Sequence, residues 1–135
     1  NLPWAVYTDP PFARVGMTHG TATNSNRRDL MILRKYLKTS TQAILHDINS
    51  GFCQIVVTHA GQIMGAEIVG QNATELIQIF AIAIQQKLKI TDLTTFPCLS
   101  PSYTEFIYQT AQEWHTYHRN QQRKFSWIDR LCWWK

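Results

Sequence analysis

The sequence predicts an α+β domain in which an antiparallel β-sheet packs against helices on one face. Three observations support this fold class: two short apolar segments joined by a proline turn, a central β-hairpin, and two later stretches with helical periodicity. The strands precede the helices instead of alternating with them, which distinguishes this order from a parallel α/β fold. At 135 residues and 44% apolar content, the chain is predicted to form one domain with a single core.

The first two strands are predicted in "PWAVYT" (3–8) and "FARVGMT" (12–18), which are apolar with partial alternation. Asp9, Pro10 and Pro11 between them force a turn, because proline fixes φ and offers no backbone N–H. The two segments should therefore pair with each other at the start of the sheet.

The next stretch is less regular. "HGTATNSNRRD" (19–29) is polar and predicts a loop. "LMILRKYL" (30–37) is compatible with a strand or a helix, and we assign it to a strand because of its neighbours. "KTSTQAILHDINSG" (38–51) predicts a loop or an irregular edge that ends in a turn.

A β-hairpin is the most clearly predicted element. "FCQIVVTH" (52–59) and "QIMGAEIVG" (62–70) are rich in β-branched residues, and Gly61 supplies the turn between them. Cys53 lies within the first of these strands and is expected to act as a small buried hydrophobic residue.

Two helices are predicted after the hairpin. "NATELIQIFAIAIQQKL" (72–88) and "YTEFIYQTAQEWHTYH" (103–118) both carry apolar residues at a 3.6-residue period. Asn72 with Glu75, and Ser102 with Glu105, have the three-residue spacing of a capping box, so both helices are expected to begin with one.

The motif search excludes several classes of site. "GAEIVGQN" (65–72) lacks the spacing of a dinucleotide-binding or P-loop motif, so no cofactor-binding residue is predicted. His115 and His118 lie three apart on a helix, but without a third ligand nearby the pair is expected to be surface and not a metal site. The three cysteines have no zinc or disulfide-framework spacing and indicate a reducing, cytoplasmic compartment.

The C-terminal end is predicted as a separate segment, a basic and tryptophan-rich tail (119–135) that follows the domain proper (1–118). Three uses fit its composition: packing on a partner surface, which is favoured; binding to an anionic membrane surface; and stacking on nucleic acid. We predict no nucleic-acid partner. If the tail binds lipid, the protein would be peripheral to the inner face of the membrane. No apolar run is long enough to span one.

Two motifs resemble the C-terminal interface domain of the pyridine nucleotide-disulfide oxidoreductases. "YTDPPFARVG" (7–16) is similar to the family pattern of an aromatic-Thr pair, Pro, Ala and a final Val-Gly. "GQIMGAEIVGQNATELIQIFAIAI" (61–84) looks like the family's hairpin and first-helix run. The resemblance covers about residues 3 to 115.

This resemblance implies the dimerisation-domain fold of FAD- and NAD(P)H-dependent reductases. It implies a homodimer, with the FAD domain, the NAD(P)H domain and the redox-active cysteine pair upstream in a longer parent enzyme. The domain alone is then not catalytic, and it completes the active site of the partner subunit through a His-Pro-Thr-x-Ser-Glu motif. Its histidine acts as acid/base, and its glutamate holds that histidine.

The register of that motif follows from the family's spacing, which places the histidine eight residues after the position of Asp92. Ser100 stands there, and Glu105 stands in the glutamate position. Serine does not titrate near neutral pH, so Ser100 is expected to be inactive as an acid/base and Glu105 to be a structural cap. Because mercuric reductases also lack the histidine, the chain resembles their branch. They hold the metal with a C-terminal cysteine pair, whereas here Cys132 stands alone and is only a weak metal candidate.

A second hypothesis is a non-catalytic binding or membrane-surface module that kept the interface fold. The two hypotheses differ in whether a flavin domain belongs to the same polypeptide.

Overall fold

The computed structural model describes residues 2–39, 44–45 and 50–132, with side chains described as far as Asn120. A five-stranded sheet forms the centre of this part of the chain, with strand order β1-β2-β5-β4-β3 and every neighbouring pair antiparallel. The elements in chain order are β1 (Trp4–Val6), β2 (Phe12–Gly16), α1 (His19–Asn24), β3 (Leu30–Tyr36), a 3₁₀ turn (Leu37–Thr39), β4 (Phe52–Thr58), β5 (Ile63–Val69), α2 (Ala73–Gln85), α3 (Ile90–Thr95) and α4 (Thr104–Cys132).

The predicted strands and the central hairpin are confirmed. β4 and β5 pair along their length, with a register shift between Val56 and Val57. The ambiguous segment 30–37 does form a strand, β3, which pairs with β4 and places Tyr36 opposite Phe52. Pairing with β4 therefore determines the conformation of residues 30–37, whose own pattern is compatible with a strand or a helix.

The core lies between the sheet and the two long helices. α2 packs on β2 and β5, and α4 packs on β3 and β4. Fully buried side chains from both layers meet there. Cys53 is among them, as predicted, and burial raises the pKa of its thiol to about 12 against a weaker opposing hydrogen bond with Thr110. It is a core residue and not a nucleophile.

The predicted loop at 19–29 is wrong for its first half, which forms the helix α1. The Thr18 hydroxyl accepts a hydrogen bond from the Thr21 backbone N–H (3.2 Å), and the Thr21 hydroxyl accepts one from the Thr18 N–H (2.9 Å). A reciprocal capping box thus starts the helix, but with threonine in the place where glutamate or glutamine normally signals it. For this reason the polar stretch did not indicate a helix.

The predicted capping box at Asn72 is also wrong. Asn72 has a left-handed backbone (φ 59°), and its side chain makes no capping hydrogen bond. The chain leaves β5 through Gly70 (φ 142°), and the Ala73 N–H donates to the Gly70 carbonyl (3.2 Å). A backbone turn therefore starts α2, and asparagine tolerates the left-handed conformation that this turn requires.

A chain of polar groups crosses the sheet face opposite the long helices. Arg34 Nε donates to Gln54 Oε1, and Gln54 Nε2 donates to Glu67 Oε2 (3.0 Å). The same carboxylate oxygen accepts from the His19 backbone N–H at the start of α1 (2.8 Å). Gln54 is only 1% exposed, and both ends of its amide are hydrogen-bonded.

Candidate functional site

The candidate site lies in the loop from Phe96 to Tyr103, between α3 and α4. Both ends of this loop are anchored in the core. Leu93 of α3 is nearly fully buried, as are Phe106 and Ile107 in the first turn of α4. The buried anchors fix where the loop starts and ends, while Leu99, Ser100 and Pro101 between them are exposed.

The two site residues expected from the family spacing lie together. The Ser100 hydroxyl donates a hydrogen bond to Glu105 Oε2 (3.1 Å). Gln109 Nε2, one helical turn further on, donates to Glu105 Oε1 (3.0 Å). The peptide bond between Ser100 and Pro101 is cis. The Glu105 carboxylate thus accepts a bond on each oxygen, one from the loop and one from the helix.

At the start of α4, the structure shows the half of the predicted capping box that Ser102 supplies. The Ser102 hydroxyl accepts from the Glu105 backbone N–H (3.3 Å). The same hydroxyl donates to the Leu99 carbonyl and lies 2.7 Å from the Thr104 hydroxyl. Ser102 therefore ties the loop to the first turn of α4 as well as capping it.

A long-range hydrogen bond links this loop to the start of the other long helix. The Tyr103 hydroxyl donates to Gln71 Oε1, the residue pair being 32 positions apart. Gln71 immediately precedes Asn72, the residue before α2. The sequence offered no signal for this contact, because neither residue belongs to a local motif with the other.

An open groove of about 330 Å³ runs beside the loop, and it is lined by Thr94, Cys98, Ser100, Glu105 and Tyr108 among others. Its polar side-chain groups are hydroxyls, a thiol, a carboxylate and the Gln109 amide. His115 reaches the groove's lining by a contact of 3.1 Å between its Nε2 and the Thr94 hydroxyl, which the sequence did not indicate. The lining can donate and accept hydrogen bonds, but it includes no imidazole.

Among the described side chains, those considered for metal binding are not brought together. Within the described residues no group of three His, Cys, Asp or Glu side chains could hold a metal ion. His115 contacts Thr94, whereas the His118 ring packs against Trp114 at 4.2 Å between ring centroids. Cys98 is half-buried, with its sulfur 3.9 Å from the Thr104 hydroxyl.

The predicted tail falls mostly outside the described side chains. The backbone of α4 continues to Cys132. The side chains from 121 onwards are not described, and they include Cys132 and the tail's three tryptophans. The membrane-surface role of the tail therefore stays a prediction. No helix in the described part of the chain has the length and apolar character needed to cross a bilayer.

Comparison with known proteins identifies relatives that match most of the chain. The family model "Pyridine nucleotide-disulphide oxidoreductase, dimerisation domain" matches residues 2–111. A dihydrolipoyl dehydrogenase of Haloarcula marismortui is 32% identical over 112 residues, which are 82% of this chain and 23% of that protein. A mercuric reductase of Shewanella putrefaciens is 32% identical over 104 residues, which are 73% of this chain and 18% of that protein.

Two solved structures share the fold. LpdA from Mycobacterium tuberculosis has a TM-score of 0.78 at 24% identity, covering 83% of this chain and 24% of that one. The HOCl-induced flavoprotein disulfide reductase RclA from Escherichia coli has a TM-score of 0.77 at 23% identity, covering 83% of this chain and 26% of that one. The chain thus spans about a fifth to a quarter of the length of these proteins.

Proposed function

Because the chain belongs to the dimerisation-domain family of the pyridine nucleotide-disulphide oxidoreductases, we propose that it forms the homodimer interface of a flavin-dependent oxidoreductase. The observation that carries this proposal is the match of the family model to residues 2–111, which include every strand and the start of α4. Since the chain covers only 23% of its dihydrolipoyl dehydrogenase relative, the chemistry of such an enzyme would reside in other domains of a longer polypeptide.

FAD and NAD(P)H would be bound by those other domains. The described glycines of this chain do not form a phosphate-binding loop for either cofactor. A Cβ added at Gly65 would lie 2.0 Å from the Met17 carbonyl oxygen, so this glycine serves a close crossing of two backbone segments. Gly70 serves the turn into α2, and neither glycine has the spacing of a phosphate-binding loop.

We place the Ser100–Glu105 loop at the edge of the partner subunit's active site, as the family resemblance implies. Ser100 stands in the position of the family's histidine and donates its hydroxyl proton to Glu105 in a hydrogen bond. A serine hydroxyl does not take up a proton near neutral pH, so it cannot stabilise a thiolate as an imidazolium does. The loop's role is then to shape the site and to hold substrate by hydrogen bonds.

The branch within the family is proposed from Ser100 alone. A dihydrolipoyl dehydrogenase and a mercuric reductase both match at 32% identity. The mercuric-reductase-like branch is favoured because the resemblance implies that it also lacks the histidine. The lone Cys132 does not provide the cysteine pair of that branch, so we do not propose mercury reduction.

Light scattering during size exclusion tests the dimer directly. We expect the 135-residue chain to elute with twice the mass of one chain at micromolar concentration. A chain that stays monomeric across a hundredfold range of concentration contradicts the proposed function. A visible flavin spectrum in the purified natural polypeptide tests the enzymatic part, and its absence would favour a non-catalytic binding module.

The substitution Ser100→His tests the geometry of the loop in this chain. Beside the Glu105 carboxylate, the new imidazole should have a pKa above the ordinary value of about 6.5, because a nearby negative charge favours its protonated form. NMR titration measures this pKa, with the five native histidines as internal references. Adding Glu105→Gln should lower the new pKa again. An imidazole that is indifferent to Glu105→Gln would show that Glu105 cannot support a residue at position 100.

A further inference from the structure

The groove beside the loop between α3 and α4 is lined mainly by hydrogen-bond acceptors. Its threonine and serine hydroxyls already donate their hydrogens within the protein. The Thr94 and Thr95 hydroxyls each donate to the backbone carbonyl three residues earlier (2.7 and 3.1 Å), and the Ser100 hydroxyl donates to Glu105 Oε2 (3.1 Å). A hydroxyl oxygen has two lone pairs besides its hydrogen, so these three groups still offer the capacity to accept.

Two further acceptors belong to the first two turns of α4. The Glu105 carboxylate is half-buried and gives the groove its negative charge. The Gln109 amide nitrogen donates to Glu105, while the amide oxygen is buried and accepts no hydrogen bond from the described residues. A buried acceptor without a donor costs free energy. A donor group that enters the groove can supply this bond after a small rotation of the amide.

The groove also lacks positive side chains, since its described lining residues include no Lys or Arg. His115 contacts the Thr94 hydroxyl but is not among those lining residues. The N-terminus of α4 by itself favours an anion, but the Glu105 carboxylate in its first turn already supplies one. The groove is thus locally negative, although the chain as a whole carries a formal net charge of +4.

Phe96 gives the groove an apolar part. A phenyl ring packs on a carbon chain or attracts a cation to its face. The groove has a volume of about 330 Å³, which suits a small molecule. The complementary ligand is therefore small, carries several hydrogen-bond donors with a positive charge, and has a short apolar stem.

We propose that this groove binds the protonated primary amine of a small molecule. An ammonium group has three N–H donors and no acceptor, which matches the Glu105 carboxylate, the Ser100 oxygen and the Gln109 oxygen. The carbon chain of the amine would lie along Phe96. All these contacts belong to one chain, so the inference goes beyond the proposed dimer function and does not depend on it.

Titration with n-butylammonium chloride tests the proposal, with ¹H–¹⁵N NMR spectra of the 135-residue chain as the readout. Sodium butyrate is the comparison probe, because it has as many carbon atoms and the opposite charge. We expect butylammonium to shift the signals of residues 94–109 with a dissociation constant on the order of 10 mM or tighter. Butyrate should bind there more weakly, even though the net charge of the chain favours an anion.

The substitution Glu105→Gln removes the charge but keeps an amide that can accept from Ser100. It should weaken butylammonium binding at least about 10-fold. Glu75→Gln is the matched control, because Glu75 is an exposed glutamate in the first turn of the other long helix and lies outside the groove. Its affinity should stay within about twofold of the wild type. Circular dichroism melts show whether the variants are folded.

Ser100→Lys is a second test at an exposed position. The tethered ammonium group should occupy the groove and repel a second cation, so butylammonium binding should weaken as it does in Glu105→Gln. If Glu105→Gln does not fold, the result for Ser100→Lys decides.

Shifts that are confined to residues 94–109, lost in Glu105→Gln and Ser100→Lys and kept in Glu75→Gln support the amine site. Three results overturn it: no saturable shift well above the expected dissociation constant, butyrate binding as tightly as butylammonium, or an equal loss in Glu75→Gln. A monomer and a dimer can both bind the probe, so light scattering of the wild type tests the proposed dimer separately.

Discussion

The two long helices begin in different ways, although their sequences at those points follow one pattern. Asn72 and Ser102 are both small polar residues with a glutamate three positions later. At α2 the backbone makes the turn through Gly70, and the Asn72 side chain makes no capping bond. At α4 the Ser102 hydroxyl accepts from the Glu105 N–H, and the Glu105 carboxylate binds Ser100 and Gln109.

The difference shows that a capping pattern locates a helix start without determining how it is built. Where a short turn leads from a strand into a helix, as at α2, a glycine and a residue with left-handed backbone angles determine the path of the chain. Where a long loop enters it, polar side chains hold the path. The start of α4 is thus held by side-chain hydrogen bonds, which a substitution can change without altering the backbone. The candidate site lies at this helix start.

The largest loss of stability is expected from Gly70→Ala, which disturbs the backbone turn before α2. Gly70 has φ 142°, which disfavours other residues, and an added Cβ would lie 3.0 Å from Leu37 Cδ2. We expect a loss of about 1–3 kcal/mol in the free energy of unfolding, measured by urea denaturation. Gly20→Ala is the control, because the added Cβ there would lie 3.9 Å from the Thr18 hydroxyl oxygen, an ordinary van der Waals distance. A loss at Gly20 equal to that at Gly70 would contradict the argument.

The next largest contribution to stability is expected from the side-chain hydrogen bonds of Ser102 at the start of α4. Ser102→Ala removes the acceptor for the Glu105 N–H and the bond to the Leu99 carbonyl. We expect the free energy of unfolding to fall by about 0.5–2 kcal/mol, and Ser102→Thr to retain most of it. Thermal and urea unfolding of the three proteins measure the effect. Equal stability of the alanine and threonine variants would show that the hydroxyl does not cap the helix.

The hydrogen bond between Tyr103 and Gln71, which joins the two helix starts, should contribute slightly less to the free energy of unfolding. Tyr103→Phe and Gln71→Ala each remove one partner of the hydrogen bond between them. A double-mutant cycle should give a coupling free energy of about 0.5–1.5 kcal/mol, because a hydrogen bond of this kind has that net value. Additive losses in the double variant would mean that the two residues do not interact in solution.

The smallest effect is expected at Asn72. Serine is as good as asparagine at an ordinary N-cap, but it tolerates the left-handed backbone less well. Because φ is 59° at this position, Asn72→Ser should cost about 0.5–1 kcal/mol in unfolding experiments, while Asn72→Gly should stay within a few tenths. If serine is neutral here, the helix begins with a side-chain cap after all.

The periodic elements of the fold could be predicted from the sequence, and the local exceptions could not. Alternation and helical spacing identified the β4–β5 hairpin and both long helices, because burial of one face imposes those periods. α1 was missed because its capping box is made of Thr18 and Thr21, without the acidic partner that usually marks one.

The candidate site was predicted only in part. Family spacing named Ser100 and Glu105, and in the structure their side chains do meet, at 3.1 Å. The partner Gln109 lies four positions after Glu105 on α4, a spacing that could have indicated it. Tyr103 and Gln71 meet because two distant helix ends converge, and that convergence is a property of the packed structure that local sequence does not encode.

The polar chain on the sheet face opposite the long helices restricts the register in which β4 can pair. Gln54 faces away from the long helices, and its amide oxygen and nitrogen hydrogen-bond to Arg34 and Glu67 in the two adjacent strands. A slip of β4 by one residue would turn Gln54 into the apolar core, without these partners, and move Cys53 and Ile55 out of it. The loss of apolar packing already disfavours the shifted register. Burying the Gln54 amide without hydrogen-bond partners adds a second free-energy cost. The hydrogen bonds from Arg34 through Gln54 to Glu67 thus favour the native register of β3, β4 and β5 over shifted registers that hydrophobic collapse could also form.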